Sequence, residues 1–184
     1  LFHCRNNVVA AVTEIVPAVG RTSSAAEVLR GLGYWYFYGW DKVQPWTLQS
    51  IPYTQSPWLL AVSFVLPGAA LLLGLVARWT YRSYCLALVG FATVVAVGAF
   101  PFTRPSLFGA LIKGASAGST LALAMRSVDR IVPLVVIGLA LLMGSGVTGL
   151  YLRRPALGLV AGAVCTGLVA ANLPALWTGG LIAS

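Results

Sequence analysis

"WLLAVSFVLPGAALLLGLVA", residues 58–77, is a run of twenty residues without a charged side chain. At a rise of about 1.5 Å per residue, ~20 apolar residues make a helix that reaches across the roughly 30 Å hydrocarbon core of a bilayer. Apolar residues occupy every face of that helix, so it is a span and not an amphipathic surface helix. Three further runs are also free of charge: Ser83 to Phe100, Ile131 to Leu152 and Ala156 to Ala171, the last short enough to need help from its flanks. Hydrocarbon satisfies no backbone N–H or C=O, so such segments must be helical. The sequence therefore predicts an all-α, polytopic transmembrane helical bundle over residues 58–184, preceded by an amphipathic and aromatic segment over residues 1–57.

Composition points the same way. The chain is 59% hydrophobic and 9% charged, with a mean hydropathy of +0.87, whereas a soluble domain is about 45–50% apolar and ~25% charged. A net charge of +8 would suggest nucleic acid in a soluble domain. Here the basic residues stand beside the apolar runs, so topology and anionic membrane lipid account for them and no nucleic acid is expected. The loops Arg78-Trp-Thr-Tyr-Arg82 and Arg153-Arg154 are dense in Arg and contain no acid, which predicts that they are cytoplasmic. Alternation then puts residues 21–57, 101–130 and the tail from Asn172 on the outer side of a plasma membrane.

The chain opens Leu-Phe-His-Cys without an initiator Met, a basic n-region or a small-residue cleavage site, so an internal piece of a longer protein is expected. Cys4, Cys85 and Cys165 form no disulfide framework, and the latter two fall inside apolar runs, where inert packing is the expected role. One His and no paired ligands make a metal site unexpected.

Ser24-Ala-Ala-Glu27 has capping-box spacing, and Val28, Leu29, Leu32 and Tyr36 recur on one helical face. A short helix on the membrane surface is predicted, weakened by Gly31 and Gly33 and ended by Gly39. Pro45, Pro52 and Pro57 predict extended, turn-rich chain after it. Nine aromatic residues fall within residues 33–58. Two readings stand: an interfacial belt, where Tyr and Trp bury a ring and keep a polar tip wet, or a rim of flat rings facing sugar or lipid, in which Tyr34, Trp35, Trp40 and Trp46 are the candidates. Val8 to Val19 is too short to span and carries Glu14 and Pro17, so it is read as re-entrant or surface chain. Residues 105–130 read as two short apolar helices broken by Gly-Ala-Ser-Ala-Gly-Ser, either a linker or backbone lining a cavity.

Gly144-Ser-Gly-Val-Thr-Gly149 matches the dinucleotide fingerprint in letters but lies inside an apolar helix with no preceding strand, so close helix packing explains it. Gly158-Leu-Val-Ala-Gly162 is a small-xxx-small motif for contact with a neighbouring helix. The chain has four acids. Glu27 is accounted for by the cap and by Arg30 three residues on, and Asp129 by Arg130 and a helix start. Glu14 is either wet chain or, at membrane depth, a functional acid. Asp41 is read as a turn residue and as a weak candidate for a catalytic base.

"RGLGYWYFYGWD" (30–41), "AVSFVLPGAALL" (61–72), "ALAMRSVDRIVPLVVIGLAL" (122–141) and "NLPALWTGG" (172–180) together resemble the membrane part of the mycobacterial α-(1→3)-arabinofuranosyltransferases. The resemblance runs from about Val19 to the end. It implies a partial GT-C-type membrane domain of a glycosyltransferase. The donor would be decaprenyl-phosphoryl-arabinose, the acceptor the arabinan of arabinogalactan and lipoarabinomannan, with no cofactor. It also implies that the general base lies in an outer loop preceding these residues, that residues 172–180 lead into an outer carbohydrate-binding part, and that the fragment alone is inactive.

A sugar on a phosphate already has a good leaving group. The chemistry therefore needs a base, cations for the departing phosphate, and positioning. Arg126 and Arg130 lie four apart, beside Ser127 and just before the helix predicted to start at Ile131, which makes these three residues a candidate site for the donor's lipid phosphate. The other reading of the pair is an anchor to anionic headgroups. Two alternatives of other classes are a structural membrane subunit and a transporter segment. A transporter would place charge mid-span and show internal repeats, which this sequence does not.

Overall fold

The computed structural model describes residues 22–33, 35–39, 50–76, 78–116, 128, 130–174 and 177. Among them the chain is all-helical, with no strand. The elements are α1 (Ala25–Leu29), a 3₁₀ turn (Trp35–Tyr38), α2 (Ser50–Gln55), α3 (Pro57–Val76), α4 (Arg82–Val97), α5 (Leu107–Ser116), α6 (Val132–Arg153) and α7 (Pro155–Ala171). Two of these, α3 and α6, are long and apolar enough to cross a membrane, while α4 and α7 are apolar but shorter.

All four apolar runs form helices within three residues of the expected ends, because nothing inside them interrupts and the breakers sit at their edges. Pro57 is the first residue of α3 and Pro155 the first of α7, where a missing N–H costs no helical bond. The last helix begins directly after Arg154, so Arg154 alone connects it to α6, of which Arg153 is the final residue. The second run stops at Val97, short of Phe100, because Gly98 turns to φ +53.

The core is organised around α6, which packs against α3, α4 and α7. Small residues set the approaches. A Cβ on Gly138 would meet the Val89 side chain of α4 at 2.6 Å, one on Gly146 the Leu73 Cβ of α3 at 2.4 Å, and one on Gly158 the Tyr151 backbone at 2.3 Å. The fingerprint-like run thus supplies a packing glycine at 146, and the small-xxx-small motif brings α7 onto α6 through Gly158, with Gly162 near Val147. Val135 and Leu142 of α6, Ala92 and Ala96 of α4 and Val28 of α1 are fully buried together. Cys85 belongs to this core, and Cys165 is half-buried on α7. Large apolar side chains also cover the outside, among them Leu72, Phe91 and Leu159 at 65–66% exposure.

The region before α3 departs from expectation. The helix predicted through Leu32 and Tyr36 ends at Leu29, because Gly31 at φ +77 lets the chain reverse. The Leu32 N–H reaches the Glu27 carbonyl at 2.9 Å and the Gly31 N–H the Val28 carbonyl at 3.0 Å, the pair of bonds that defines a Schellman cap. One face of α1 packs on the bundle: Val28 and the preceding Ser23 are completely buried, Ser23 Oγ donates to the Val97 carbonyl at 3.0 Å, and Ala25 and Ala26 are exposed. Extended chain was expected around Pro52, yet Pro52 lies near the start of the helix α2, where a Pro is tolerated. Of the broken segment 105–130, the first helix is observed as α5, capped by Ser106, whose Oγ accepts from the Gly109 N–H. Its second half lies outside the described residues except for Val128 and Arg130.

Candidate functional site

Four helices running alternately up and down place the starts of α3 and α6 and the ends of α4 and α7 at one end of the bundle. Arg78 and Arg153, from the two Arg-dense loops, line a single cavity of about 160 Å³ at the other. Against the first end sit α1 and α2, and there the Schellman turn carries Arg30 inward.

The side chain of Arg30 is 3% exposed. Its Nε donates to Ser63 Oγ at 2.7 Å, its Nη1 to Glu27 Oε1 at 2.7 Å, and its Nη2 to the Tyr53 carbonyl at 3.0 Å, so one guanidinium joins α1, α2 and α3. The Phe64 ring lies 4.8 Å from Arg30 Cζ, close enough for a cation–π contact. The second oxygen of Glu27 accepts from the Tyr38 hydroxyl. Burial, and then the neighbouring Glu27 carboxylate, push the Tyr38 hydroxyl well above the ordinary tyrosine range, so it stays a donor. The Tyr53 hydroxyl, also pushed upward by burial, donates to the Asn172 carbonyl and ties α2 to the end of α7.

Beside this node a cleft of about 280 Å³ opens between α3, α6 and α7. Its walls are apolar, with Leu66, Pro67 and Ala70 facing Val136, Leu139 and Met143, and its polar groups are Arg30, Ser63 and Asn172. Asn172 Oδ1 is buried there without a hydrogen-bond partner, a condition that costs free energy unless a donor arrives. Pro67 contributes further, since it has no N–H to return to the carbonyl of Ser63 four residues earlier. The arrangement suits an amphiphile: a slot for hydrocarbon ending in a cation and an unmet acceptor.

Of the residues expected to hold substrate, Arg130 is exposed in the turn before α6, at the same end of the bundle, and does not line the cleft. Trp35 opens the 3₁₀ turn after the Schellman cap. Tyr34, Trp40, Asp41, Trp46, Arg126 and Ser127 lie outside the described residues, as do Glu14 and Asp129. Arg30, Ser63 and Asn172 escaped the sequence analysis as site residues. Gly31 directly after Arg30 is the available signal, because a left-handed glycine folds back the residue before it. No protein-family model, curated protein or solved structure matches the chain.

Proposed function

We propose that this chain is the donor-positioning membrane part of a glycosyltransferase that moves arabinofuranose from decaprenyl-phosphoryl-arabinose onto cell-wall arabinan. In this reading α3, α4, α6 and α7 all cross the plasma membrane, and the Arg30 end faces outward. One observation carries it. The four phrases that resemble the arabinofuranosyltransferases are far apart in sequence, yet each contributes to the same cleft: Arg30 from the first, Ser63 and Pro67 from the second, Val136 and Leu139 from the third, Asn172 from the fourth. Residues shared only for generic hydrophobicity would be scattered over the bundle. The chemistry agrees, since transfer from a lipid phosphate asks the protein for a cation at headgroup level, a place for the lipid, and fixed geometry.

Activity is the test. Membranes carrying the intact enzyme are expected to transfer arabinose from decaprenyl-phosphoryl-arabinose to an arabinan acceptor, and Asn172→Ala to raise the apparent KM for the donor. Absence of transfer above the background of membranes lacking the protein would overturn the proposal. Orientation is checked separately by cysteine labelling. A Cys at Gln55, exposed at the end of α2, is expected to react with a membrane-impermeant thiol reagent added outside cells. A Cys at Ser83, beside the Arg-dense loop, is expected to be shielded; the reverse pattern would put the cleft on the inner side.

A further inference from the structure

We infer that the Arg30 cleft holds the head and first units of one isoprenoid chain, with the phosphate against Arg30 and a hydroxyl of the attached sugar on Asn172 Oδ1. The inference rests on the lipid-carrier reading above and goes beyond it in assigning the site.

The run of the walls supports a chain lying along the bilayer normal. The cleft walls run from Ser63 to Ala70 on α3 and from Val136 to Met143 on α6, about 10 Å in each case at the helical rise. Met143 is at the midpoint of α6, and the midpoint of a helix crossing ~30 Å of hydrocarbon is the bilayer centre. On α6 the slot therefore reaches from the polar end to mid-membrane, and on α3 its wall passes the helix midpoint, between Leu66 and Pro67, by about 5 Å; it runs parallel to the lipid tails. Its volume of about 280 Å³ falls at the lower edge of the roughly 300–1,000 Å³ typical of ligand pockets. A volume of that size suits the head and first units of one chain.

The polar end selects the head. A guanidinium has five N–H donors, and Arg30 uses three on Ser63, Glu27 and Tyr53. The remaining N–H bonds suit phosphate oxygens. Glu27 is held on Tyr38 as well as on Arg30, which fixes the guanidinium plane before a ligand arrives. Asn172 Oδ1, by contrast, needs a donor. A bare phosphate diester has none to give, whereas a phosphate that bears a sugar brings hydroxyls. A head with acceptors and a donor side by side satisfies both residues at once.

The test uses a farnesyl-phosphoryl sugar with a photoreactive group on its first isoprene unit, cross-linked to the intact enzyme in membranes and mapped by peptide mass spectrometry. Label is expected on the α3 and α6 walls between Ser63 and Met143. Ala140→Trp fills the cleft from an exposed wall position and is expected to reduce labelling on the order of tenfold, a loss of about 1.4 kcal/mol in binding. Asn172→Asp, which puts a negative charge beside the phosphate, is expected to do the same. Label mapping outside the cleft, for instance beside Arg130, or unchanged by Ala140→Trp, would overturn the assignment, as would equal labelling by a two-chain phospholipid probe. Transfer activity with label outside the cleft defeats this site alone. Labelling that Ala140→Trp abolishes in an enzyme without transfer activity defeats the transferase reading and leaves the lipid site standing.

Discussion

Arg30→Ala is expected to destabilise the bundle by about 3 kcal/mol, the lower end of the range for breaking a buried ion pair from one side. The guanidinium is almost completely buried while Glu27 retains 22% exposure, so water can relieve part of the stranded carboxylate's cost. The rest is not relieved. Ser63 Oγ and the Tyr53 carbonyl lose their donor together, and each buried polar group left unmet costs about 1–3 kcal/mol. For a chain of this size, about 3 kcal/mol corresponds to a fall of roughly 6–12 °C in Tm, measurable by thermal unfolding in detergent. Arg30→Lys should recover little, because an ammonium on a flexible stem cannot hold three acceptors in one plane. A Tm unchanged by Arg30→Ala would show that the node does not hold α1 and α2 to α3.

Tyr38→Phe probes the far side of the same node with a smaller expected effect, about 1–3 kcal/mol, from removing one of the donors to Glu27. It also carries a pH signature. The folded state holds the Tyr38 proton more tightly than the unfolded chain, whose value is near 10.0. This contribution is therefore fully present below about pH 10 and declines as pH rises above it. In Tyr38→Phe that part of the alkaline decline should disappear; an identical decline in both proteins would exclude the assignment.

Gly146→Leu is the second large effect. Even the first added carbon would sit 2.4 Å from Leu73 Cβ and 2.9 Å from the Leu73 carbonyl carbon. Rotating a side chain cannot remove a clash with backbone, so α3 and α6 must move apart along their contact. Nearby, Gly74 of α3 is filled by Leu142 of α6, and separation opens that contact too. Overpacking costs about 1–3 kcal/mol and occasionally more, and a shift of the whole helix pair belongs at the upper end or beyond. Gly144→Leu, two residues away on the same helix and facing the other side, supplies the control. Nothing lies within 4 Å of its Cβ, so its effect should stay within about 0.5 kcal/mol. Equal Tm losses from the two substitutions would mean that the α3–α6 contact does not explain the glycine, since helix propensity alone favours Leu over Gly at both positions.

The helices themselves were legible in residue order. Four uncharged runs bounded by Pro, Gly and Arg read as helices and are helices, and Ser24 accepts the Glu27 N–H as its spacing foretold. The Glu27–Arg30 pair was legible for the same local reason, since residues three apart share a helical face. What a run that is apolar on every face lacks is phase: nothing in it says which side meets a neighbour. Tertiary packing decided that Gly146 faces Leu73 while Gly144 faces open space, and that α6 is the helix contacted by α3, α4 and α7. It also decided the site. Arg30, Ser63 and Asn172 stand 33 and 109 residues apart along the chain, and no local rule relates them. Their meeting depends on a glycine reversing the chain behind α1 and on α3 starting where α7 ends, at one end of the bundle, where a guanidinium taken out of water must find fixed acceptors.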